Sequence, residues 1–269
     1  MANNTQDIGP ATKPQTFQLP RISAPDQGVV TVLVGPNKTR WVIHENLLVH
    51  YSPYFRGAFR GGFKEAEEKL ICLEDECVEV FEVFVHWLYA TCLPDRSFAE
   101  DNEKFKLWFD DEGLIMDSYI ALYIFGNKYD VAKLRLDCIN GIFRYTDNNS
   151  NSHLANESTI ELAYGTLSDG DPLLRMITDI FCQYADTTNN PNLWDAYRCV
   201  PFLQSLWKRF HQKWRKTLRD HGKQGRKARP YVRGLCEYHD HANDEEMWSC
   251  EEQREGPMWL CEEQREDKK

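Results

Sequence analysis

Cysteine and histidine converge near the C-terminal end of this 269-residue sequence. Cys236, His239 and His241 follow one another closely, and Cys250 comes shortly after. Thiolate and imidazole are the donors Zn²⁺ prefers, and Cys236, His239, His241 and Cys250 would fill a closed tetrahedral shell. The spacing is not that of a standard finger. A further thiol, Cys261, belongs to a tandem copy, because Met247 to Glu255 recurs almost verbatim as Met258 to Glu266. Duplication explains Cys261 as the copy of Cys250. The alternative to a zinc site is a solvated polar tail.

A second chemistry available to these residues is a nucleophile and base, Cys236 with His239. That pair needs a third group to orient the base and a pocket that excludes water. A polar tail supplies neither. No phosphate-binding glycine loop, nucleophile elbow or HExxH pattern accompanies it. The sequence therefore reads as a protein without enzymatic activity.

The elements that must position any such site lie upstream. Val29 to Val34 is β-branched, and Arg40 to Ile43 is a second apolar run. Gly35-Pro36-Asn37-Lys38 separates them, so the pair reads as a hairpin, with His44 closing the second strand. Glu45 to His50 carries a short helical face. Ser52-Pro53 is a helix start, since serine caps and proline fits the first turn. Gly61-Gly62 stops that helix. Leu70 to Leu73 is a short strand, and Phe81, Phe84, Val85 and Leu88 make Val78 to Ala90 an amphipathic helix. Phe55, Phe59, Phe84, Leu88 and Leu122 are the expected core.

These residues resemble the BTB/POZ family, in the form common in filamentous fungi. The resemblance rests on Val42-Ile43-His44 with Leu47-Leu48, on Ser52-Pro53-Tyr54-Phe55, and on Phe59, Gly61, Gly62, Phe63 and Glu65. It continues through Ile71 and Leu73 to Phe81, Phe84 and Trp87-Leu88-Tyr89. Tyr119 to Arg135 is similar to the domain's last helix pair. Together these pieces cover about 120 of 269 residues. The resemblance implies an α+β fold: a short mixed sheet with flanking helices, followed here by a helical C-terminal extension. It implies protein–protein interaction as the function, through homodimerisation or as a substrate adaptor docked on the cullin of a ubiquitin ligase. The family's cullin face falls on Phe63, Glu65 and Tyr89, and the composition of an exposed aromatic with a charge suits an interface hot spot. The other reading of these residues is that Phe63 and Tyr89 complete the core while Glu65 is solvated. The family often has Tyr-Thr-Gly where this chain has Tyr89-Ala90-Thr91.

The organisation expected is a disordered leader at 1–25, the BTB/POZ domain at 26–147, and a linker at 148–157. A helical extension follows at 158–222, then a basic-to-acidic tail at 223–269. Helical segments in the extension start at Asp171-Pro172 and Pro201. An acidic, aromatic stretch before Tyr119, including Trp108 and Phe109, is either a docking loop or a loop folded back on the core.

Charge and composition narrow the partners. A net charge of −10 argues against sequence-independent DNA binding by the whole chain. Between Trp207 and Arg233 the chain is strongly basic, and the segment beyond it is acidic. The plain reading is a solvated basic helix balanced by the acidic tail. Lys223 to Arg229 is also a candidate nuclear-import signal, and nucleic-acid binding ranks last because aromatic residues are not interleaved in an RNA-binding pattern. The import signal supports a second function, a nuclear scaffold or transcriptional cofactor that oligomerises through the BTB domain. No apolar run is long enough for a bilayer, and the N-terminal residues have no signal-peptide core. The expected setting is intracellular, in the nucleus or cytoplasm. The nine cysteines then read as reduced thiols, with Cys72, Cys92, Cys138 and Cys182 as small core residues.

Overall fold

Two β-branched strands come first among the described elements. They are β1 (Val29–Val34) and β2 (Thr39–His44), joined by a turn in which Gly35 and Lys38 take left-handed backbone. The computed structural model describes residues 27–94, 112–148, 154–185, 197–217 and 235–241, with isolated positions between 20 and 25 and between 243 and 250. The expected leader lies almost wholly outside the described residues. So do the stretch around Trp108 and Phe109, the candidate import signal and Cys261.

The chain continues through α1 (Glu45–Tyr51), α2 (Pro53–Arg60) and α3 (Lys64–Glu68) to β3 (Leu70–Leu73) and α4 (Val78–Ala90). β1 lies between its neighbours, antiparallel to β2 and parallel to β3, with Thr31 opposite Val42 on one side and Leu70 on the other. The result is a small mixed sheet among many helices, an α+β architecture. Alternation along each strand sends Val30, Val32, Val34, Ile43, Ile71 and Leu73 into the core. The same alternation turns Cys72 outward, where it is exposed. Its expected core position fails because its apolar neighbours point the opposite way.

An aromatic cluster fills the space between the sheet and the next helix pair, α5 (Glu112–Lys128) and α6 (Ala132–Asn148). Phe55, Phe59, Phe84, Leu88 and Leu122 are all buried, as the periodicity requires. Phe84 faces the rings of Phe55, Phe81, Trp87 and Phe125. Trp87 also donates its indole N–H to Asp137 of α6, at 2.8 Å. Ser52 works at both ends of its hydroxyl. The oxygen accepts from the Phe55 N–H at 3.0 Å to cap α2, and the proton goes to the Tyr129 carbonyl at 2.6 Å. Cys138 is buried, as expected. Cys92 is disulfide-bonded and half-buried just past the end of α4, not a reduced core thiol. Its place in the turn leaving α4 puts it at the rim of the core.

Three further helices follow: α7 (Glu157–Thr166), α8 (Pro172–Tyr184) and α9 (Val200–Thr217). Asn156 caps α7 and Asp171 caps α8, each by accepting a backbone N–H. α7 packs on α5 and α9, and α8 packs on α9. Asp171 is buried where the two halves meet, accepting from the Tyr123 hydroxyl at 2.9 Å and facing Arg135 at 3.4 Å. Cys182 is buried on α8.

Candidate functional site

A 3-10 turn at Leu235–Tyr238 brings the C-terminal segment back onto the helices. Leu235, Cys236, Tyr238 and His239 are buried, so the solvated-tail alternative does not hold for this stretch. Apolar burial of Leu235 and Tyr238 supplies the driving force. The Tyr238 hydroxyl donates to Asp179 of α8 at 2.9 Å. Asp179 is itself buried and paired with Arg209 of α9. A buried carboxylate is tolerated because it has a cation and a hydroxyl on its oxygens.

That anchoring carries the candidate ligands into one place. One donor atom each from Cys236, His239, His241 and Cys250 lies within 4.8 Å of the others. His239 Nδ1 is 3.2 Å from Cys250 Sγ. His239 Nε2 is 3.1 Å from Asn140 Oδ1 on α6. The His241 ring meets the His239 ring edge-on at 5.3 Å, and its Nε2 is buried with no hydrogen-bond partner among the described residues. Four ligands around one Zn²⁺ would sit roughly 3.3–3.8 Å apart, given bond lengths near 2.0–2.3 Å. The most separated donors need to approach by about 1–1.5 Å to close on an ion. The residues can hold a metal.

Asn140 is the participant that sequence reasoning missed. It lies 99 residues before His239, and an asparagine inside a helical run carries no local signal of partnership. Its presence also revises the chemistry. Cys250, His239 and Asn140 stand in the order thiol, imidazole, amide, so an orienting group for the histidine does exist. The thiol beside the imidazole is Cys250, not Cys236. The neighbouring Cys236 and His241 tell the two uses apart. A nucleophile gains nothing from a second thiol and a second imidazole at ligand distance, whereas a metal shell requires them.

The second set of candidates lies on the sheet unit. Phe63 is 63% exposed at the start of α3, so it does not finish the core. α3 buries none of its side chains, and Glu65 is half-buried. Local backbone fixes the segment at both ends. A Cβ on Gly61 would lie 2.3 Å from the Gly57 carbonyl oxygen, so only glycine fits there. Lys69 leaves α3 in left-handed backbone to enter β3. Tyr89 is 39% exposed. Its hydroxyl accepts from the His44 N–H at 3.2 Å and lies 2.8 Å from His44 Nδ1. The next residue, Glu45, pairs with Arg60 at 3.3 Å and Lys69 at 2.9 Å, the cations on either side of α3. This polar ladder runs from the Tyr89 end of α4 to the base of the Phe63 segment.

Among the described residues no helix is long and apolar enough to cross a membrane. Comparison with protein-family models finds no match, and comparison with curated proteins finds none either.

Proposed function

We propose that this chain is a protein-interaction module of the BTB/POZ kind, and that it acts as an adaptor docking a cullin scaffold through Phe63, Glu65 and Tyr89. The observation that carries the reading is the exposure of Phe63. A large apolar ring held in water on a sterically fixed segment is area that a partner can bury. Tyr89 adds an aromatic whose polar end is already satisfied by His44, so burying its ring strands no hydroxyl. Kinship with the family is supported by the hairpin, the parallel third strand and the helices that flank them. It is also supported by Thr91, whose φ of 56° is the left-handed conformation that glycine favours. Thr91 stands at the position where the family often has glycine.

The test is a pull-down with cullin from fungal extract, using the full chain and Phe63→Ala/Glu65→Lys. An anchoring aromatic contributes about 2 kcal/mol or more, so binding should weaken at least about thirtyfold while the fold is retained. Equal recovery by both proteins, or no cullin with the unmutated chain, refutes the adaptor role. Self-association in the absence of cullin would move the reading to oligomerisation.

The four Cys/His donors are best read as a structural zinc site. Four protein ligands leave no open position for a reacting water, which separates structural from catalytic zinc.

A further inference from the structure

Tyr238 and His239 are consecutive, yet their side chains bind different helices. Tyr238 reaches Asp179 on α8, and His239 reaches Asn140 on α6. α6 belongs with the sheet unit through α5 and the Trp87–Asp137 bond. α8 belongs with the helical extension through α9. We propose that zinc bound by Cys236, His239 Nδ1, His241 and Cys250 makes this segment a clamp that fastens α6 to α8, with Asn140 as the positioning residue for His239. The inference rests on the zinc reading above and adds what the metal does.

The orientation of His239 decides which nitrogen binds. Nε2 faces Asn140 Oδ1, so Nε2 carries the proton and Nδ1 presents its lone pair toward Cys250. A ligating histidine whose other nitrogen donates to a helix side chain transmits the position of that helix to the metal. His241 supplies the complementary sign. A buried Nε2 without a partner is costly as it stands and becomes a ligand at no further cost in desolvation. Two thiolates and two neutral imidazoles around Zn²⁺ sum to zero charge, so the loaded centre can stay half-buried against the helices. Asp240 adds an ion pair with Arg135 of α6 at 3.6 Å, but its carboxylate is well exposed and contributes little. That pair therefore adds little to the hold that the buried Leu235 and Tyr238 begin and the metal completes.

The full chain is purified without chelator and its metal measured by mass spectrometry. About one zinc per chain is expected, and the stripped protein titrated with Co²⁺ should show the visible absorption of a tetrahedral thiolate–imidazole site. Cys261→Ser should retain full zinc. Asn140→Ala keeps all four ligands and should weaken zinc about 10–100-fold in competition with a chromophoric chelator. Hydrogen exchange of stripped against zinc-loaded protein should rise at least about tenfold in 235–250 and at the facing turns of α6 and α8, with β1 and β2 unchanged. Zinc near zero with no Co²⁺ spectrum overturns the metal reading itself, and rapid alkylation of Cys250 in that metal-free protein would point to a thiol–imidazole pair instead. Bound zinc with unaltered affinity in Asn140→Ala, or with no change of exchange in α6 and α8, keeps the metal site and overturns the clamp.

Discussion

Single residues divide into those that hold the fold and those that it displays. Phe84 is the clearest of the first kind, enclosed by four other aromatic rings. Phe84→Ala removes its burial and leaves a cavity that stiff rings refill poorly, so it should cost about 3–5 kcal/mol. That is a large fraction of the 5–15 kcal/mol typical of a whole domain. Phe63→Ala removes a ring of similar size from water and should change stability by less than about 0.5 kcal/mol. Denaturant titration of the two variants checks the contrast; similar losses would mean that Phe63 is packed in solution. Helical periodicity made the burial of Phe55, Phe84 and Leu88 legible from sequence alone. Cys72 was misread because hydrophobic neighbours say nothing about which face of a strand a residue occupies. Asn140 was invisible because its partner is distant in the chain.

At the scale of elements, boundaries marked by a cap were the readable ones. Ser52-Pro53 opens α2, Asp171-Pro172 opens α8, and the Leu70–Leu73 strand and Val78–Ala90 helix stand where the pattern puts them. α3 escaped notice because Lys64-Glu65-Ala66-Glu67-Glu68 is a short, mostly charged run with no apolar period to detect. The Ser52 cap does more than start a helix, since its proton also ties α2 to the end of α5. Ser52→Ala loses about 1 kcal/mol of capping and leaves the Tyr129 carbonyl without its donor, a further 1–3 kcal/mol or so. Asn156→Ala at the exposed cap of α7 loses the cap and also the amide's bond to Asp117 of α5, about 1–2 kcal/mol together. A Ser52→Ala loss no larger than the ~1 kcal/mol of a cap, measured by chemical unfolding, would show that the Ser52–Tyr129 tie contributes nothing.

Over the whole molecule, the sheet unit is built from neighbours in sequence and the C-terminal turn from strangers. The first hairpin closes through four residues, Gly35 to Lys38. The Asn140–His239 contact spans 99 residues, and closing a flexible loop of that length costs about 4 kcal/mol in chain entropy. Structural zinc typically supplies about 10–16 kcal/mol of apparent binding energy in small zinc-binding peptides, enough to outweigh that cost. Every residue of the turn also follows, in chain order, both of the helices it joins. Chain growth therefore offers α6 and α8 to solvent before the segment that will cover them exists. On the clamp proposal the two halves meet first through Asp171 and the α5–α7 packing, and the C-terminal segment closes over α6 and α8 last, once metal is bound. Pulse-labelled exchange during refolding should find β1, β2 and α4 protected early, and 235–241 protected late and only with zinc present. Simultaneous protection of both regions without metal would contradict this order. A chain halted before Cys250 would then keep its sheet and the Asp171 contacts but leave the facing turns of α6 and α8 uncovered, which is the kind of lesion that quality-control proteases detect.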